Sequence, residues 1–114
     1  MNRLPCRGEI WLADLNPVRG HEQAGARPCV VVSTDLFNHG PADLVMVVPL
    51  TTTDRRIPLH VAIEASDSGL RTRSFIECEG LRSVSRERLS HRIGAVGLPI
   101  LDAIADRLRI LLEL

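Results

Sequence analysis

The strongest constraint on this chain is the way its apolar residues are cut into short runs. Residues 44–50 (LVMVVPL) and 28–33 (PCVVVS) are too short for buried helices. They are also rich in valine, whose branched Cβ favours extended backbone. Similar runs at 9–15, 59–64, 75–79, 81–84 and 91–96 are separated by Pro, Gly, Asn and Asp, and each reads as a strand. Gly80, between the fifth and sixth runs, suits a bulge. Thr34-Asp35 suits a cap for one helical turn around residues 36–38, and residues 85–88 read as another such turn. The pattern changes after Pro99. Ile100, Leu101, Ile104, Leu108, Leu111 and Leu112 recur at helical spacing, with Asp102, Asp106, Arg107 and Arg109 on other faces. The expected fold class is mainly β with a C-terminal helix, the strands forming a small antiparallel barrel or curled sheet.

At 114 residues the chain is expected to form a single domain over residues 1–114. An apolar share of 45% with 25% charged residues excludes a disordered chain. No run approaches the roughly 20 residues of a membrane helix. Residues 1–6 lack the apolar core of a signal peptide, so a cytoplasmic location and no membrane partner are expected. Fourteen basic residues, all arginine, balance fourteen acids. That balance excludes a broad duplex-binding face, and any nucleic-acid site must be a local arginine cluster. Cys6, Cys29 and Cys78 are too few and too scattered for a disulfide framework. His21, His39, His60 and His91 form no ligand-spaced pair, so no metal and no cofactor are expected.

Two stretches carry a family resemblance. Arg7-Gly8-Glu9-Ile10-Trp11-Leu12-Ala13-Asp14-Leu15-Asn16-Pro17 is followed by Gly20-His21-Glu22-Gln23-Ala24-Gly25-Ala26-Arg27-Pro28 and an apolar strand. Together they resemble the opening of MazF/PemK-type toxins. Val48-Pro49-Leu50-Thr51-Thr52 and Leu81-Arg82-Ser83-Val84 follow in the family's order, as does the terminal helix. The resemblance implies an SH3-like barrel of the MazF/CcdB type. It also implies a homodimer, a cognate antitoxin, and metal-independent cleavage of single-stranded RNA at a short sequence.

Arg27 is the first candidate. Pro28 fixes the backbone where loop meets strand, and a cation held there can stabilise charge building on a scissile phosphate. The plainer alternative is a surface arginine paired with Glu22. Thr51 alone reads as a strand end; the resemblance makes it the catalytic threonine. Glu22 is a general base, a carboxylate orienting Arg27, or an inert loop residue. His21, Gln23, Asn38, Thr52, Arg55, Arg56, Glu79, Arg82 and Arg86 are the candidate RNA contacts, through base edges or phosphates. Gly80 departs from the family, where glutamine commonly follows the acid, and so removes a side-chain amide. The chemistry implied is attack by the RNA's own 2′-hydroxyl. Two alternatives remain: a CcdB-like barrel that poisons gyrase by protein binding, and a non-catalytic barrel binding RNA or protein.

Overall fold

The computed structural model describes all residues except 1, 2, 18 and 23. Seven strands appear among the described residues: β1 (Glu9–Asp14), β2 (Ala26–Val31), β3 (Leu44–Thr51), β4 (His60–Ile63), β5 (Ser74–Glu77), β6 (Arg82–Ser85) and β7 (Leu89–Ala95). A short helix α1 (Asp35–Asn38) follows β2, capped by the Thr34 side chain, and the helix α2 (Leu98–Leu112) ends the chain. The strand order is β4-β5-β3-β2-β1-β7, with β6 paired to β3, and every pairing is antiparallel.

Strand alternation divides the sheet's side chains between two cores. One face gathers Ile10, Val30, Val48, Leu50, Val61, Ile63 and Ile76 under α2, which contributes Ile104. The other gathers Trp11, Ala13, Leu15, Cys29, Val31, Val45, Val47 and Val84. Burying each such aliphatic side chain stabilises the fold by about 1.5–3 kcal/mol. Near-continuous apolar strands such as β3 follow from having both faces covered.

The sheet curls without closing into a barrel ladder: among the described residues β4 and β7 do not pair. The curl instead brings backbone against backbone. A Cβ built on Gly94 in β7 would lie 1.8 Å from the Ser68 carbonyl oxygen, and one on Gly69 would lie 2.7 Å from that of Ile93. Glycine at both positions lets the β4–β5 connection lie against β7. The expected bulge at Gly80 is instead a 3₁₀ turn over Cys78–Gly80 that ends β5 and leads into β6.

Candidate active site

Two prolines shape the site. In the β2–β3 register Val32 donates to Met46 O at 2.9 Å, and antiparallel pairs alternate between bonded and unbonded. By that alternation Val30–Val48 is a bonded pair, and Pro28 opposite Leu50 would be the next. Pro28 has no N–H to give, and the ladder stops at Cys29↔Pro49. The Pro49 nitrogen, by the same alternation, points to the other edge of β3. There the partner changes from β6, which ends opposite Val47, to β5, which begins opposite Leu50. A Cβ on Gly80 would meet the Pro49 ring at 2.8 Å, so the absent amide at position 80 follows from this packing.

The registers align residues of neighbouring strands into rows. Trp11, Cys29 and Pro49 face one another in succession, and one step along the β3–β5 register adds Glu77, opposite His60. Two residues further along the same face, roughly 7 Å away, Ala13 pairs with Arg27 on one side, and Thr51 with Phe75 and then Ala62 on the other. Continued two residues past Cys29↔Pro49, the β2–β3 register would set Arg27 opposite Thr51. β2 begins at Ala26, two residues earlier than the sequence places its start, so Arg27 lies inside the strand and pairs with Ala13 rather than marking a loop junction.

Arg27 is half-buried, and its Nε donates to Ala24 O at 3.1 Å, which fixes the guanidinium plane. Thr51 is 6% exposed, and its hydroxyl accepts from the Thr53 amide at 3.2 Å, which leaves the hydroxyl proton to donate. Glu22 does not pair with Arg27; its Oε1 accepts from the Arg19 amide at 2.5 Å, closing the loop on itself. Beneath these groups, burial pushes the Cys29 thiol up to about 12, against the opposing charges of Arg82 and Arg27 and with a further push from Glu77. Cys78 is likewise raised to about 11 by burial and then by Glu79. Neither is a thiolate nucleophile near neutral pH.

A cleft of about 560 Å³ adjoins these rows, with Pro49 and Glu77 on its floor. Four expected RNA contacts line it, His21, Arg55, Glu79 and Arg82, together with Glu22. Arg82 Nη1 is tied to Leu15 O at 3.1 Å. The other expected contacts lie elsewhere. Thr52 lines a separate cleft of about 430 Å³ with Pro28, Leu70 and Ile93. Arg56 is exposed, its amide bonded to Asp54 Oδ1 at 2.9 Å. Arg86 bonds Asp43 Oδ1 at 2.8 Å and Asn38 O at 3.0 Å, beside a third cleft. Asn38 is fully buried, its amide nitrogen donating to Ser33 O and Asp35 Oδ1, so it presents no edge to a base. Gln23 lies outside the described residues.

The structure adds a cluster that sequence spacing does not reveal. His60, Glu77 and Glu79 each bring one ligand-type atom within 4.8 Å of the others. His60 Nε2 lies 2.6 Å from Glu79 Oε2. The only sequence signal for it is the β4–β5 pairing, and the connecting loop is too long to fix that register from sequence. Cys6, Asp35 and His39 form a second such group, but His39 Nε2 is bonded to Pro5 O at 2.8 Å and Asp35 Oδ1 holds the Arg7 amide.

Comparison with known proteins bears on this arrangement. Residues 6–112 match the model of a family described as PemK-like, MazF-like toxin of type II toxin-antitoxin system. Endoribonuclease MazF9 of Mycobacterium tuberculosis is 37% identical over 113 residues, 95% of this chain and 96% of that protein. Endoribonuclease EndoA of Bacillus subtilis is 33% identical over 109 residues, 95% and 94% of the two chains. The fold matches crystalline MazF from Deinococcus radiodurans with a TM-score of 0.89 at 24% identity, covering 99% of this chain and 100% of that one. A mycobacterial endoribonuclease solved in complex with its cognate antitoxin gives 0.79 at 29% identity, covering 96% of each. The chain belongs to the PemK-like, MazF-like toxins of type II toxin–antitoxin systems.

Proposed function

We propose that this protein is a cytoplasmic, sequence-specific endoribonuclease toxin. It cleaves single-stranded RNA without a metal ion and arrests translation and growth until a cognate antitoxin neutralises it. What carries this reading is the placement of Arg27 on β2 and Thr51 at the end of β3, which the β2–β3 register would set opposite each other if continued, beside a cleft with two more arginines. The activity named for EndoA and MazF9 supports it.

In this mechanism the 2′-hydroxyl oxygen attacks the adjacent phosphorus. The O2′–P bond forms, the P–O5′ bond breaks, and the products carry 2′,3′-cyclic phosphate and 5′-OH ends. Glu22 takes the 2′-hydroxyl proton. The departing 5′-oxygen takes a proton from water, because a guanidinium holds its own proton at neutral pH. Arg27 offsets the charge that builds on the phosphoryl oxygens, and Thr51 donates its hydroxyl proton to one of them. Arg55 and Arg82 hold flanking phosphates, and His21 and Glu79 meet bases.

The protein acts as a homodimer, for which the exposed apolar end of α2 (Ile110, Leu111, Leu112) is the best-suited surface. The antitoxin occupies the RNA groove. Incubating purified protein with single-stranded RNA in EDTA tests the chemistry. Cyclic-phosphate ends, lost in Arg27→Ala with an unchanged melting curve, are expected. Intact RNA alongside arrest of gyrase would favour the CcdB-like alternative instead.

A further inference from the structure

The polar side chains lining the cleft fall into two kinds, apart from His21. Arg55 and Arg82 only donate hydrogen bonds; Glu22, Glu77 and Glu79, when ionised, only accept them. No amide or hydroxyl side chain lines it among the described residues, and at position 80 the Pro49 ring leaves no room for one. Guanidinium groups suit phosphates. A base set against carboxylates has to supply the N–H groups itself.

Glu79 is also held. Its Oε2 lies 2.6 Å from His60 Nε2, and the His60 side chain is 4% exposed. His60 Nδ1 is buried with no hydrogen-bond partner. A nitrogen facing a carboxylate at this distance carries a proton, so His60 Nε2 donates to Glu79. Glu77, opposite His60 in the register and 5% exposed, adds a second carboxylate at the floor. Leu15, Pro49, Ile57 and Leu81 supply apolar walls of the kind a flat ring packs against.

We infer that this cleft is a guanine subsite, with Glu79 as its specificity-determining residue and His60 as a positioning residue. Guanine presents N1–H and N2–H side by side, matching the two oxygens of one carboxylate. Adenine and cytosine each offer one amino group beside a ring acceptor. Uracil offers one N–H between two carbonyls, which a carboxylate repels. The inference rests on the proposed RNA reading and names the base that reading leaves open.

Two measurements on the full chain separate this inference from its foundation. The first maps cleavage over a randomised RNA pool by sequencing the 5′-OH ends. The second measures fluorescence anisotropy with uncleavable 2′-deoxy-substituted oligonucleotides that differ at one position. Guanine is expected over uracil by about 10–100-fold at one specified position, with inosine, which lacks the N2 amino group, falling between. Glu79→Gln should collapse that ratio. His60→Gln should lower it, by raising KM for the guanine-containing substrate more than for the uracil-containing one. Guanine-selective binding without cleavage would keep the subsite and sink the catalytic reading. Cleavage with no guanine in the motif, or a guanine preference that survives Glu79→Gln, would overturn the subsite alone. Neither cleavage nor RNA binding would end both.

Discussion

Cys6 N–H, Trp11 Nε1–H, Arg3 and Arg92 converge on the buried carboxylate of Glu9, at 2.7 Å from Cys6, 3.1 Å from Trp11 and 2.8 Å from Arg92. Burial alone would raise its pKa. The bonds from Cys6, Trp11 and Arg92 and the charge of Arg3 outweigh burial, so the group stays below its ordinary 4.5. A depressed carboxylate stabilises the fold fully above its unfolded value, and that stability is lost as pH falls below it. Urea unfolding between pH 7 and pH 3 should therefore show a loss of stability that Glu9→Gln largely removes. At pH 7, Glu9→Ala should destabilise by about 3 kcal/mol, since it leaves buried donors and a cation without their partner. Not every site residue was as legible. Arg27, Thr51 and Glu22 came from the sequence with the help of a family pattern, and side-chain chemistry put Asn38 and Arg86 among the RNA contacts. What a sequence does not say is whether a polar side chain is already bonded. Asn38 holds the α1 turn together, and Arg86 clamps that turn to Asp43.

At the scale of elements, the missing N–H of Pro28 is the feature to test. Pro28→Ala restores a donor opposite Leu50 O and lets β2 and β3 zip two residues further. The new bond adds about 1 kcal/mol, and the lost rigidity of the unfolded chain removes about 0.4–1 kcal/mol. Net stability should change by less than about 1 kcal/mol in chemical denaturation. RNA cleavage should nevertheless fall about 10–100-fold as Arg27 and Thr51 shift, and hydrogen exchange should show a protected amide at position 28. Gly94→Ala is the opposite case. Its Cβ would collide with Ser68 O, and a loss of about 3 kcal/mol in the same measurement is expected. The strands themselves were readable, because runs of valine and isoleucine between turn residues leave few other options. Their ends were not. β2 begins at Ala26 because pairing with β1 carries past Pro28, and β5 stops at Glu77 because Pro49 denies it a ladder partner. Pairing partners decide these boundaries, and they lie a dozen residues or more away in the chain.

For the whole molecule, 14 arginines balance 14 acids, so long-range attraction for RNA is weak and contact has to be local. Three guanidinium groups, Arg27, Arg55 and Arg82, serve the proposed site. Neutralising three phosphates of a single strand should give a slope of about −2 in log affinity against log salt. A KCl titration followed by anisotropy measures it, and a slope several times steeper would mean a wider basic face than the one described.

The proline interruption in β2 also bears on how a cell escapes the protein. Most inactivating changes in a small domain act by unfolding it, and the unfolded chain is degraded. A substitution at position 28 should cripple cleavage by about 10–100-fold and leave the rest of the surface intact. Survivors of a growth-arrest selection should then include full-length, abundant protein changed at this codon. Such a protein would act as a decoy: it would still occupy the antitoxin and so release active copies made beside it. Co-expressing the Pro28→Ala chain with the wild-type pair should therefore slow growth, where a truncated chain should not.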